Sequence, residues 1–352
     1  MNSKLRIKAV LLAAAVMLSA LCSCSMKLSV DEPEEAAEEE AVSQPDESCL
    51  MSGTTVSIIQ YIDYSSLNEC CEGVKKALDA AGIGYEVTVG QEPDAAEECG
   101  QKARDIVTNG SCDLVIAIGT PCAESVFPII SSAAGVPVVF CAVTDPVGAG
   151  LVQSAAEPGV NCTGVATAFN INEQLNMINT FQPSITRLGV IYTSSEQNAQ
   201  VQLKGLRKAS EKLGITVFAE PVDSPAEMSE KAQELMGKVE AVVILPDNMT
   251  SKNSWNITSR TIAGEMPLYG VNLTQVKEGA LAGYCYDFEA LGEKAGRQAA
   301  EILHGESAAD TPVIMENECK LYVNKDRLKD LNMTIPDEYK ASAAEVTTSY
   351  EK

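Results

Sequence analysis

The sequence predicts an α/β protein of two similar lobes, each a parallel sheet with helices on both faces. Three observations predict it. Short β-branched runs alternate with helical patterns along most of the chain. Some of those runs are apolar at every position, as strands covered on both faces must be. The alternation pauses once, over a polar, glycine-rich stretch near 147–168, and then restarts.

The first unit opens with Val56-Ser57-Ile58-Ile59-Gln60, a strand by its β-branched content. Leu67, Cys71, Val74, Leu78 and Ala81 follow at helical spacing, and Gly82 closes that helix. Tyr85–Val89 reads as the next strand and 94–108 as the next helix. Leu114–Ile118 contains no polar residue, which predicts a strand inside a sheet. Gly119-Thr120-Pro121 ends it, and Pro121 suits the first turn of a helix over 121–132, where its missing N–H is not needed. Val136–Ala142 is a further strand. After the pause come helix 172–181, strand 187–192, helix 197–213, strand 215–219, helix 225–237 and strand 241–245. Helix 250–263, strand 267–270, helix 273–278, strand 280–286 and helix 288–303 close the series. The expected division is lobe 1 over 54–168 plus 287–312 and lobe 2 over 169–286 plus 313–340. Crossings are expected at 164–172 and 282–288, and a disordered tail over 341–352.

The N-terminus indicates where the chain works. Lys4, Arg6 and Lys8 precede a 13-residue apolar run, Ala9–Leu21, too short to span a bilayer as a stable helix. Residues 1–23 are therefore expected to be a signal peptide. Leu21-Cys22-Ser23-Cys24 resembles a bacterial lipobox, which makes Cys24 the expected lipidation site and new N-terminus. Two acyl chains would hold the protein on the outer face of the membrane. Between Asp31 and Glu47 stand nine acidic residues and no Lys or Arg, so 24–53 is expected to be a disordered, solvated linker.

Without residues 1–23 the chain holds 49 acidic against 23 basic residues, a net of −26. Nucleic acid is excluded as a partner, because phosphate binding requires clustered Lys and Arg. No second long apolar stretch exists, which excludes a permease. Twelve cysteines without a CxxC pair, and His304 as the single histidine, argue against a metal site, and no cofactor is expected. Cys141, within Val138-Val139-Phe140-Cys141-Ala142, reads as a small buried hydrophobe.

Ligands of open parallel sheets bind beyond the carboxyl ends of the strands. The strand-to-helix tips here are Gln60–Tyr64, Gly119–Cys122, Thr144–Pro146, Thr193–Ser195, Asp247-Asn248 and Tyr286-Asp287. Each Thr, Ser, Asn or Asp among them also suits a helix cap, worth about 1 kcal/mol. Only their convergence on one cleft would make them a site.

Those tips sit within a wider likeness. Ala117–Pro121, Val143–Val152, Asn161–Gly164, Leu188–Tyr192, Pro246–Asn248, and Asp287 with Leu291-Gly292 resemble the bacterial ABC-transporter substrate-binding lipoproteins linked to tryptophan and tyrosine uptake. The likeness runs in order over nearly all of 54–336. It implies the type I periplasmic-binding-protein fold, two Rossmann-like lobes hinged around a central cleft. It also implies a small-molecule ligand, often an aromatic amino acid, delivered to an ABC permease with its ATPase. The chain departs from the family pattern at Tyr64-Ser65, Cys122 and Cys285, where the family has His-Pro, alanine and glycine.

On that resemblance one lobe offers Tyr61, Gly119, Thr120, Pro121, Cys122, Thr144 and Asp145; the other offers Asn198, Asp247 and Asn248, with Asp287 near the hinge. An amino-acid carboxylate would meet Thr120 and the N–H groups opening helix 121–132. The ammonium would meet Asp287 first or Asp247 second, and Tyr61 would wall the aromatic side chain. Asp287 also reads as a plain cap for 288–303. No catalytic residue is expected: one histidine gives no Ser-His-Asp arrangement, and Asp145 and Asp287 stand in binding-type turns rather than as an acid pair. A ligand-sensing module coupled to a membrane receptor would use the same lobes, so transport and sensing both remain open.

Overall fold

The computed structural model describes residues 53–349 except 111, 133–134 and 168. The expected signal peptide, Cys24 and nearly all of the acidic linker lie outside the described residues. No helix among the described residues is long and apolar enough to cross a membrane.

Lobe 1 is a parallel sheet of β1 (Thr55–Gln60), β2 (Gly84–Val89), β3 (Leu114–Ile118), β4 (Val138–Val143), β5 (Cys162–Thr167) and β11 (Ile314–Glu316). Its spatial order is β11-β5-β4-β3-β1-β2. The apolar run Leu114–Ile118 lies inside this sheet and is fully buried, which explains its lack of polar residues. Helices α2 (Ala95–Asn109) and α3 (Thr120–Ser132) cover one face; α1 (Ser65–Ala80) and α10 (Phe288–Leu303) cover the other. Leu67, Cys70, Cys71, Val74 and Leu78 form the stripe by which α1 enters the core. Burying a side chain such as Leu78 or Ile116 contributes about 1.5–3 kcal/mol.

Lobe 2 is built from β6 (Arg187–Thr193), β7 (Thr216–Val222), β8 (Ala241–Val243), β9 (Leu268–Tyr269), β10 (Ala282–Cys285), β12 (Lys320–Asn324) and β13 (Ala344–Val346). The order is β13-β12-β10-β9-β8-β6-β7, with β10 and β12 antiparallel. Its helices are α4 (Ile171–Phe181), α5 (Gln197–Lys212), α6 (Pro225–Met236), α7 (Asn248–Lys252), α8 (Trp255–Ala263), α9 (Leu273–Glu278) and α11 (Lys325–Asp330).

The chain crosses between lobes three times: from β5 to α4, from β10 to α10, and from β11 to β12. The expected return to lobe 2 at 313 is displaced, because Ile314↔Val165 and Glu316↔Thr167 pair within the lobe 1 sheet. The glycine-rich stretch holds a strand that patterning missed. β5 is buried throughout, and Gly164 passes so close to β4 that a Cβ there would collide with the Phe140 carbonyl oxygen. The expected helix 250–263 is two helices, separated at Asn253-Ser254. The tail expected to be disordered carries β13 instead, paired with β12. Polar anchors hold it: Thr348 N–H donates to Asp326 Oδ2 (2.8 Å), and Asn324 Nδ2 donates to Thr348 Oγ1 (3.0 Å).

Candidate functional site

The carboxyl ends of the two sheets face each other, and between them lies a cavity of about 530 Å³, counting the part open to solvent. Lobe 1 contributes Tyr64, Ser66, Leu67, Thr120, Ala142, Thr144 and Thr167; lobe 2 contributes Asn198, Pro246, Asp247, Asn248, Ser251, Val271 and Asn272. Tyr286 and Phe288, on the second crossing, close the wall with rings in edge contact at 6.1 Å. Among the described residues no Lys, Arg or His lines the cavity.

Each wall has a local cause. At the end of β3, Gly119 (φ 94°) turns the chain into α3, so Thr120 presents its hydroxyl at the opening turn of that helix. The first N–H groups of a helix have no acceptor within it, and they favour an anion. Thr120 Oγ1 accepts from Thr144 N–H (3.3 Å), joining two tips. Ala142 sits at a bulge between β4 and β5 with φ 57°, a left-handed conformation costing roughly 1–2 kcal/mol for a non-glycine residue.

The lobe 2 wall is acidic and tightly organised. Asp247 caps α7: its Oδ1 accepts from Thr250 N–H (3.0 Å) and Thr193 Oγ1 (2.6 Å), and its Oδ2 from Thr193 N–H (2.5 Å). Behind it stands Glu196, just before α5, accepting from Asn248 N–H (3.0 Å), Asn248 Nδ2 (2.7 Å), Asn198 Nδ2 (3.1 Å) and Met249 N–H (3.1 Å). Glu196 is 4% and Asp247 2% exposed. Burial, and then the charge of Asp247, push Glu196 up to about 7 against its donors. Burial raises Asp247 as well, opposed by the bonds from Thr193 and Thr250.

Five of the expected residues line the cavity: Thr120, Thr144, Asn198, Asp247 and Asn248. The others do structural work around it. Tyr61 prolongs β1, its N–H bonded to Ile118 O (3.0 Å); its ring packs partly against the lobe 1 core and is not among the residues that line the cavity. Gly119 and Pro121 shape the turn into α3, and Cys122 donates its thiol to Ile59 O (3.2 Å) inside the core. Asp145 accepts from Gly148 N–H (2.9 Å) and so fixes its own loop. Asp287 accepts from Ala290 N–H (2.9 Å), caps α10, and lines a groove outside the cavity. Sequence reasoning missed Tyr64, Tyr286 and Phe288 as the aromatic walls and Glu196 as the buried carboxylate. The available signal was position, since Tyr64 and Tyr286 both stand at strand-to-helix tips.

Polar side chains among the described residues meet across the cleft. Asn272 Nδ2 donates to Tyr64 Oη (2.5 Å) within the cavity wall, and burial pushes the Tyr64 phenol up to about 12. At the rim, Lys252 Nζ stands 2.6 Å from Glu92 Oε2. This pair is partly exposed and contributes about 0–1 kcal/mol, but its reversal sets like charges face to face. Lys252→Glu is expected to speed ligand release severalfold and lower the closed fraction seen by fluorescence transfer between lobes. Adding Glu92→Lys should restore both; a double variant as impaired as the single one would show that the pair does not hold the cleft shut.

Comparison with known proteins agrees with this geometry. The chain is 30% identical over 281 residues to the tyrosine-binding protein of Clostridioides difficile, covering 79% of this chain and 81% of that one. A Streptococcus pneumoniae ABC domain solved in complex with L-Trp superposes with a TM-score of 0.78 at 28% identity, over 83% of this chain and 99% of that one. The ligand-free, open structure of a Clostridium difficile substrate-binding protein with adhesive properties gives 0.65, also at 28% identity, over 84% and 100%. At equal identity the molecule lies nearer the L-Trp complex than the open protein, in keeping with its cross-cleft contacts. The fold is that of type I periplasmic binding proteins. Binding, not catalysis, is the activity of this fold in these relatives. Residues 55–347 match the model of the ABC transporter substrate binding protein family, and the chain belongs to that family.

Proposed function

We propose that the protein captures an aromatic α-amino acid, tyrosine or tryptophan, outside the cytoplasm and hands it to an ABC permease with its ATPase, tethered through lipidated Cys24. The observation that carries the reading is the polarity of the cavity. Hydroxyls of Thr120, Thr144 and Ser66, with the start of α3, favour a carboxylate on the lobe 1 side. Asp247 and Asn198 favour an ammonium on the other, and Tyr64, Tyr286 and Phe288 offer rings to an aromatic side chain. Contacts from both lobes to one ligand favour the closed form, because the open form can make only half of them.

The test is thermal unfolding of the purified protein with each amino acid in turn. L-tyrosine or L-tryptophan is expected to raise the midpoint by several degrees, since a ligand at 100 times its Kd stabilises by about 2.7 kcal/mol. Glycine, alanine and lysine should leave it unmoved. A midpoint indifferent to every aromatic amino acid would end the reading.

A further inference from the structure

We propose that the Glu196–Asp247 pair exchanges a proton for the ligand's ammonium group: the empty site holds one proton on the two carboxylates, and capture of an amino acid expels it. This rests on the amino-acid reading above. Both carboxylates crowd the first turn of α7, Glu196 on the N–H groups of Asn248 and Met249, Asp247 on that of Thr250. Two negative charges, each almost wholly buried, repel strongly where water cannot screen them.

Donors from Asn248, Met249, Thr193 and Thr250 offset part of this repulsion, and the neighbouring titratable groups add no relief. Tyr61, from the end of β1, faces the pair with a phenol that burial and these carboxylates keep protonated. Asp145 lies beside Gln197 at the start of α5, and Asp223 accepts from Ser194 next to Thr193. The cation carried by α7 itself, Lys252, is engaged with Glu92 across the cleft.

The site nonetheless has a place for a positive group. Asn198 is 3% exposed and lines the cavity; its Nδ2 is committed to Glu196 Oε2 (3.1 Å) and Pro246 O (3.0 Å), while its Oδ1 has no partner. An ammonium there gains the Asn198 and Asp247 oxygens and supplies the charge that lets both carboxylates ionise. Glu196 is thus a positioning residue that acts through Asn198, Asn248 and Asp247.

The sign follows. Glu196, pushed up to about 7, holds its proton more tightly in the folded empty protein than in the unfolded chain. Its contribution to stability is therefore present at low pH and lost as pH rises through about 7. Ligand affinity runs the other way, falling up to tenfold per pH unit below that point, about 30-fold by pH 5.5.

The test is titration calorimetry of the wild-type protein with L-tyrosine and L-tryptophan at pH 6 and pH 8, in two buffers of different ionisation heat. Close to one proton should be released at pH 6 and few at pH 8. Glu196→Gln, which mimics the protonated side chain, should bind with no release and a flat pH profile. Binding without proton release at pH 6 would overturn the proposal and leave the amino-acid reading standing. No binding of either amino acid at any pH would overturn that reading, and the proposal with it. Unchanged release in Glu196→Gln would remove Glu196 from the exchange; should that variant fail to fold, the wild-type proton count decides.

Discussion

Gly292→Val is expected to yield no soluble folded protein. Gly292 lies where α10 crosses α1, and a Cβ on it would fall inside the contact radius of the Cys70 carbonyl oxygen. Gly73 on α1 meets the Glu289 carbonyl in the same way, and Gly296 would bring a Cβ to 2.7 Å from Ala77 Cβ. Two helix backbones touch along this line, and a branched side chain must push them apart and open the core behind Val74 and Leu78. Overpacking commonly costs about 1–3 kcal/mol, and here the obstacle is backbone that cannot change rotamer. Total stability is only about 5–15 kcal/mol. Gly100→Ala is the control: in α2 its Cβ would meet Ile129 Cδ1 at an ordinary 3.6 Å. It should stabilise by about 0.5–1 kcal/mol in chemical denaturation. A Gly292→Val protein as stable as wild type would refute the close packing of α1 on α10.

Asp247→Asn should weaken binding of the aromatic amino acid by about 30- to 1,000-fold, the range that follows from losing one partner of a buried charge pair at about 2–4 kcal/mol. The substitution removes the charge nearest the proposed ammonium and sets an amide N–H₂ against donors on Thr193 and Thr250. A cap of this kind is worth about 1 kcal/mol, so a small fall in melting temperature should accompany the loss. Asp287→Asn is the contrast, because that carboxylate caps α10 outside the cavity. Its affinity should stay within twofold of wild type by calorimetry. If Asp287→Asn lost binding and Asp247→Asn kept it, the assignment of the two acids would be reversed.

Alternation of strand and helix was legible because each element leaves a periodic signature, and Leu114–Ile118 read correctly from its unbroken apolarity. β5 did not, since Cys162-Thr163-Gly164 is buried without being hydrophobic in pattern; its neighbours on both sides supply what its side chains lack. β13 has the same origin: Ala344-Glu345-Val346 becomes a strand through pairing with β12, a contact invisible in local composition. In the site, residue types at strand tips pointed to Thr120, Thr144, Asp247 and Asn248, and the family resemblance to Asn198, all of which line the cavity. Which way a side chain turns was not legible. Tyr61 and Tyr64 are three residues apart, yet only Tyr64 leaves the sheet to reach Asn272. Glu196 was overlooked because nothing in Ser195-Glu196-Gln197 reveals that the carboxylate will be sealed under α7.

The third crossing has a consequence for biosynthesis. The edge strand of the first lobe ends at Glu316, and its helix against α1 ends at Leu303, so the N-terminal body stays incomplete until most of the polypeptide has emerged. Neither body is a contiguous segment, and cutting the gene at 168 would strip β11 and α10 from the first lobe, while the second fragment would keep its whole sheet and carry both as surplus. For the export proposed above this delay would be useful: a nascent polypeptide that cannot finish folding early remains threadable.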